Sequence, residues 1–89
     1  MPKTIHRPEY QALLQALRER REAAGLTQTQ CSDALGRSQS FMSDVERGNR
    51  RLDVIQLFDL CELLGVDAKE LIDQVTVMRK ANKRSKRHR

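Results

Sequence analysis

The sequence predicts an all-α fold, a compact domain of five helices. Apolar residues recur at helical spacing in five segments, and four of these segments end at or near a glycine. Hydrophobic residues make up 38% of the chain and aromatic residues only 3%, a composition typical of a small domain with an aliphatic core. The 89 residues leave room for one such domain. We expect it to span residues 8–78, between an N-terminal arm (1–7) and a disordered basic tail (79–89).

Helix one is predicted from Pro8 to about Ala24. Proline fits the first turn of a helix, where the N–H group that it lacks would have no partner inside the helix. The buried stripe of this helix consists of Tyr10, Leu13, Leu14 and Leu17. Arg21 lies one turn beyond Leu17 on the same stripe, so its charge points at the core and needs a partner.

Helices two and three are predicted to be short and to be joined by a tight turn. Thr27 and Gln30 have the spacing of a capping box, which starts helix two. Gly36 ends that helix, because glycine adopts the left-handed conformation most easily. Ser38 is the expected N-cap of helix three, which covers about 39–46.

Two further capping boxes are predicted, Asp53 with Gln56 at helix four and Asp67 with Glu70 at helix five. Gly65 ends helix four. The apolar stripe of helix five consists of Leu71, Ile72, Val75 and Met78. This stripe has two interpretations, which are packing against helix one of the same chain and a surface for self-association.

The stretch from Thr27 to Gly48 resembles the helix-turn-helix of the lambda-repressor-like (Cro/cI, or xenobiotic-response-element) DNA-binding domains. The motifs that carry the resemblance are GLTQ at 25–28, SQSFMS at 38–43, ERG at 46–48 and LLGV at 63–66. They lie in register over about 13–72. Three positions depart from the usual family residues, with Ser32 in place of alanine, Cys31 in place of leucine and Leu52 in place of proline.

The resemblance implies a role for particular side chains. Those expected to face base edges in the major groove are Gln39, Ser40, Phe41, Ser43 and Asp44. Those expected to face phosphates are Gln28, Arg37, Ser38, Arg47, Asn49, Arg50 and Arg51. For Phe41, packing against helix two is an equal alternative. In the resembling family an arginine at the position of Arg21 pairs with the glutamate of the ERG motif, here Glu46.

No enzyme, metal site or cofactor is expected. The two histidines, His6 and His88, lie in the terminal segments, and the sequence has no glycine-rich phosphate loop. Cys31 and Cys61 lie on predicted core stripes and lack zinc-site spacing, which indicates buried free thiols in a reducing compartment. No apolar run approaches a membrane span and no signal peptide is evident, so we expect no membrane partner and a location in the cytoplasm, at a bacterial nucleoid.

The net charge of +5 is spread unevenly. Residues 79–89 contain seven Lys/Arg and no acid, whereas residues 1–78 contain ten Lys/Arg against twelve Asp/Glu, a net charge of −2. Such asymmetry is typical of an arm that contacts nucleic acid. The simpler alternative is a solubilising tail.

The predicted function is sequence-specific binding of double-stranded DNA in transcriptional control, most often repression. A symmetric homodimer is expected, because one helix-turn-helix reads few base pairs, and the expected dimer contacts are Leu71, Val75 and Met78. One alternative is an antitoxin, which would also bind a protein toxin. The other is a protein-interaction adaptor that uses the helix-turn-helix as scaffold. No separate domain for a small-molecule effector is evident.

Overall fold

The computed structural model describes residues 7–87 of the chain, and the side chains of residues 7–77. Over this range the chain forms five helices: α1 (Pro8–Ala23), α2 (Gln28–Ala34), α3 (Phe41–Glu46), α4 (Val54–Leu64) and α5 (Ala68–Arg87). The prediction of an all-α fold with five helices is confirmed. Most of the expected N-terminal arm lies outside the described residues.

The core is mainly aliphatic and lies where α1 meets α3 and α5, with α2 packed on α3 and α4 packed on α5. Its largest fully buried side chains include Leu17, Met42 and Leu60. Burial of one such side chain contributes about 1.5–3 kcal/mol. The hydroxyl of Tyr10 accepts a hydrogen bond from the backbone N–H of Leu52 at 3.1 Å, which ties the start of α1 to the segment before α4.

The capping boxes predicted for α2 and α4 are both present. The Thr27 hydroxyl accepts from the N–H of Gln30 at 3.0 Å, and the Gln30 side chain accepts from the N–H of Thr27 at 2.9 Å. At α4 the corresponding bonds between Asp53 and Gln56 are 2.7 and 3.0 Å long. These contacts join residues only three apart, so the sequence alone is enough to predict them.

The start of α3 differs from the prediction. Ser38 is not its N-cap, because 39 and 40 form a turn and α3 begins at Phe41, with Ser40 in the capping position. The Ser40 side chain makes no capping bond. The N–H of Met42 instead donates to the hydroxyl of Ser32 at 3.0 Å, and Ser32 is fully buried in α2. The cap of α3 is therefore supplied by the preceding helix.

Helix α5 is longer than predicted and reaches Arg87. The expectation of a disordered tail therefore does not fit the structure over 79–87. The helix has a physical basis, since this run contains neither glycine nor proline, and alanine, lysine and arginine are good helix formers. Cations near the end of a helix also interact favourably with its dipole. At the other end, the Asp67 carboxylate accepts from the N–H of Lys69 at 2.9 Å, rather than in the predicted box with Glu70.

The apolar stripe of α5 is used mainly within the chain. Leu71 is 1% exposed and belongs to the core, so its assignment as a dimer contact is wrong. The physical reason is that α5 packs against both α1 and α4, and Leu71 lies in the core that these helices share. Val75 is half-buried, whereas Ile72 is exposed. The side chain of Met78 lies outside the part that the structure describes.

The buried bond from Ser32 to α3 gives a test of how α3 is held. We expect Ser32→Ala to lower the free energy of unfolding by about 1–3 kcal/mol, because the N–H of Met42 is left without a partner in the core. Ser40→Ala is the matched control and should change it by less than about 0.5 kcal/mol. Denaturant unfolding followed by circular dichroism measures both. Equal losses would show that the Ser32 hydroxyl does not secure α3.

Candidate nucleic-acid interface

The turn between α2 and α3 is closed by backbone hydrogen bonds. Gly36 has φ +70° and donates its N–H to the carbonyl of Asp33 at 2.9 Å. Arg37 donates its N–H to the carbonyl of Ser32, also at 2.9 Å. This positive φ is costly for a residue with a Cβ atom, so the predicted turn glycine is required by the backbone. These bonds end α2 and set the direction in which the chain leaves it.

A buried ion pair joins α1 to the end of α3. Arg21 donates its Nε–H to Oε2 of Glu46 at 2.7 Å and an Nη2–H to Oε1 at 3.2 Å. The two side chains are only 9% and 5% exposed. Arg21 also donates to the backbone carbonyl of Leu26 at 2.7 Å. The hydrogen bond to Glu46 raises the pKa of Arg21 in spite of burial, which lowers it.

Gln28, which was expected to face a phosphate, belongs to the same network. Its Nε2 donates to Oε1 of Glu46 at 2.8 Å, so the first residue of α2 is bonded to the last residue of α3. An amide nitrogen carries two hydrogens, and the second one remains available to an outside acceptor. The structure therefore fixes the Gln28 side chain without using all of its donors.

The polar residues expected to face bases are accessible. Gln39 and Ser40 are exposed in the turn before α3, and Ser43 is half-buried on α3 itself. In the part of the chain that the structure describes, their side chains have no intramolecular hydrogen bond. Their donors and acceptors are thus free for a ligand. The helix is shorter than the predicted 39–46, so the first two of these residues precede it.

Asp44 is paired rather than free. Its carboxylate lies 3.0 Å from Nη2 of Arg47, with the two side chains 36% and 63% exposed. The Asp44 backbone carbonyl also accepts the N–H groups of Asn49 at 2.8 Å and Arg50 at 3.2 Å. These two bonds cap the C-terminal end of α3. The pair partly neutralises the one acid among the residues expected to face bases.

The structure places the side chain of Phe41 differently from the prediction. Its side chain is 2% exposed and belongs to the hydrophobic core, so it does not face bases as was expected. The alternative of packing is the one that the structure has. The guanidinium carbons of Arg37 and Arg50 lie 4.8 Å and 5.1 Å from the centroid of its ring.

The remaining residues expected to face phosphates lie on the two segments that flank α3. All of them are exposed: Arg37, Ser38, Arg47, Asn49, Arg50 and Arg51. Basic side chains therefore stand before and after the residues expected to face bases. This arrangement can bind the two sides of a polyanionic groove.

Two features of this region were missed at the level of sequence. Ser32 was noted only as a departure from alanine, although that departure places a hydroxyl at the start of α3. The stacking of two arginines on Phe41 joins three residues from different segments and leaves no periodic signal. Both contacts connect elements that are separate in sequence.

The cysteines take no part in a site. Cys31 and Cys61 are buried and free, and burial raises the pKa of each thiol, so neither is a ready nucleophile at neutral pH. Among the described residues, no three His, Cys, Asp or Glu side chains are grouped so that they could hold a metal ion. Within the same range, every helix is too short or too polar to span a membrane.

Comparisons with known proteins agree with this geometry. A family model described as a helix-turn-helix domain matches residues 12–74. The uncharacterized HTH-type transcriptional regulator y4dJ of Sinorhizobium fredii (strain NBRC 101917 / NGR234) is 46% identical over 52 residues, which are 58% of this chain and 68% of that protein. The solved structure of an XRE-family like protein from Pseudomonas syringae pv. tomato str. DC3000 is 49% identical with a TM-score of 0.77, and the match covers 85% of this chain and 93% of that one.

The buried ion pair predicts a large difference between two acidic residues of α3. We expect Glu46→Ala to lower the free energy of unfolding by about 3–5 kcal/mol, because the charge of Arg21 is left buried without its carboxylate. Asp44→Ala, which breaks an exposed pair in the same helix, should cost no more than about 1 kcal/mol. Chemical denaturation compares the two variants. A loss at Glu46 no greater than that at Asp44 would contradict the structural role of the pair.

Proposed function

Because the chain belongs to the XRE-like helix-turn-helix family of DNA-binding regulators, we propose that it binds a specific double-stranded DNA sequence and represses transcription there. The observation that carries this proposal is the set of free polar side chains at α3, namely Gln39, Ser40 and Ser43. They lie between basic segments, and a buried ion pair joins α3 to α1.

Reading of bases is assigned to α3 and the turn before it, placed in the major groove. Gln39 can bond adenine through two contacts, whereas the serines can accept or donate. Asp44 can accept from the amino group of cytosine, or reject other bases by repulsion. Its pair with Arg47 supports this role, because the arginine offsets the repulsion between a carboxylate and nearby phosphates.

Positioning on the duplex is assigned to the exposed basic residues around α3 and to Gln28. Contacts with phosphates fix the register of a protein on DNA but carry no sequence information directly. Gln28 supports the assignment because Glu46 holds its amide in place at the start of α2. Its remaining N–H is suited to a phosphate oxygen.

If α3 reads bases, removal of a base contact should lower affinity for the preferred site and leave affinity for random duplex nearly unchanged. The preferred site is first selected from a random duplex library with the wild-type protein. Gln39→Ala and Ser43→Ala should each weaken binding to that site by about 1–3 kcal/mol, because each removes a base contact, and should leave affinity for random duplex nearly unchanged. Fluorescence anisotropy measures both affinities. Gln74→Ala, at an exposed glutamine of α5, is the control and should change neither. Equal losses on both duplexes would refute base reading.

A homodimer is part of the proposal, because two half-sites one helical turn apart give the specificity that one helix-turn-helix lacks. The exposed apolar side chains of α4 support a surface different from the one expected on α5. They are Val54, Ile55 and Phe58, which share one helical face. Burial of this face against a second copy would remove it from water.

Charge placed on the α4 face tests this surface. We expect Ile55→Asp to lower the dimer fraction in analytical ultracentrifugation and to weaken binding to a duplex with two half-sites at least tenfold, since it would bury an unpaired charge. Val77→Asp on α5 is the matched control, because the two residues are 64% and 66% exposed. A dimer disrupted only by Val77→Asp would move the contact to α5. A wild-type chain that is monomeric at high micromolar concentration, with and without DNA, would refute the dimer.

A further inference from the structure

We infer that Phe41 is a positioning residue, which holds Arg37 and Arg50 ready as a two-pronged phosphate clamp. This inference rests on the proposed function, since it concerns how the same DNA-binding surface grips the backbone. It gives a buried core residue a role in binding without any contact of its own with DNA.

The geometry brings together three segments. Phe41 is the first residue of α3, Arg37 comes from the turn before that helix, and Arg50 comes from the loop after it. The guanidinium carbons lie 4.8 Å and 5.1 Å from one ring centroid, so they are no more than about 10 Å apart. Successive phosphates of one strand rise by about 3.4 Å along the helix axis, so both charges can serve a short run of the backbone.

Neither arginine forms an ion pair with a described residue. Within residues 7–77, no carboxylate lies within ion-pair distance of Arg37 or Arg50, in contrast to Arg47, which pairs with Asp44. Their described partner is the face of the aromatic ring, which attracts a cation through its quadrupole. A carboxylate would have to be displaced by a phosphate, whereas a ring face does not compete for the N–H groups.

Contact with the ring leaves both arginines exposed. Each guanidinium carbon lies over the ring, and the N–H groups can still bond a phosphate in the bidentate manner that arginine favours. Both side chains are exposed and long, so without the ring each would lose more conformational freedom on binding. The ring therefore removes part of the entropy cost of the clamp before DNA arrives.

A positioning role for the Phe41 ring has a measurable consequence for DNA binding that core packing alone does not have. We expect Phe41→Leu to weaken binding roughly 5- to 30-fold on the selected site and on random duplex alike, the size that two lost cation–π contacts give. The salt dependence should stay nearly unchanged, because both arginines still neutralise phosphates. In contrast, Arg37→Ala with Arg50→Ala should lower the log–log slope by about two. In that double variant, Phe41→Leu should cause little further loss.

The controls separate positioning from stability. Met42→Leu changes the next residue of α3, which is fully buried, and should leave DNA affinity unchanged. Phe41→Met provides a second variant without a ring, and all binding is measured below the unfolding midpoint of each variant. Nuclear magnetic resonance order parameters at the arginine Nε–H groups, recorded without DNA, should fall in Phe41→Leu at Arg37 and Arg50.

The outcomes are distinguishable. Wild-type protein that binds while Phe41→Leu binds equally well overturns the inference alone. An equal loss from Phe41→Leu in the presence and in the absence of the two arginines also overturns it, since the ring would then act by another route. A wild-type chain that binds no duplex at low salt overturns the proposed function and the clamp with it.

Discussion

The ion pair between Arg21 and Glu46 is the constraint on which the rest of the structure depends. It lies where the end of α1, the start of α2 and the end of α3 meet. Two charges taken out of water are costly, and here the cost is offset by the pair itself and by bonds to the Leu26 carbonyl and the Gln28 amide. Because α3 has only six residues, it is too short to be stable alone. Its position is set by such tertiary contacts.

The candidate interface combines a backbone that is held at both ends of α3 with polar side chains that have no hydrogen bond within the described residues. Ser32 bonds the start of α3, Glu46 anchors its end, and the Asp44 carbonyl receives the chain as it leaves the helix. Among the polar side chains at this surface, those of Gln39, Ser40 and Ser43 make no hydrogen bond within the described residues. A binding surface benefits from this division, because fixed backbone lowers the entropy lost on association while unpaired polar groups remain for the ligand.

The sequence predicted what depends on near neighbours. The helix starts at Thr27 and Asp53 follow from residues three apart, and the turn at Gly36 follows from the backbone conformation that glycine allows. Contacts between elements were harder to predict. The pairing of Arg21 came from resemblance to a family rather than from spacing, and the cap that Ser32 supplies was missed because the two residues that it joins belong to different helices.

Faces of helices were also ambiguous. An apolar stripe such as that of α5 shows that a face is covered but not whether the same chain covers it, and Leu71 turned out to lie in the core of its own chain. In a helix as short as α3, the periodicity could not decide between core and groove for Phe41. The segment 79–87 was expected to be disordered on account of its charge, although its residues individually favour a helix.

The cap that Ser32 supplies has a consequence for how this protein can diverge. A helix is commonly capped by the side chain of the residue that directly precedes it, so a substitution there alters stability as well as surface. In α3 the capping hydroxyl comes from a neighbouring helix, so the side chains of Gln39 and Ser40 take no part in the cap. Under the proposed function, substitutions at these two positions can therefore change the target sequence while the backbone of α3 stays in place. Under the same proposal, duplicated copies of the gene can acquire separate target sequences through substitutions that leave the stability of the fold unchanged.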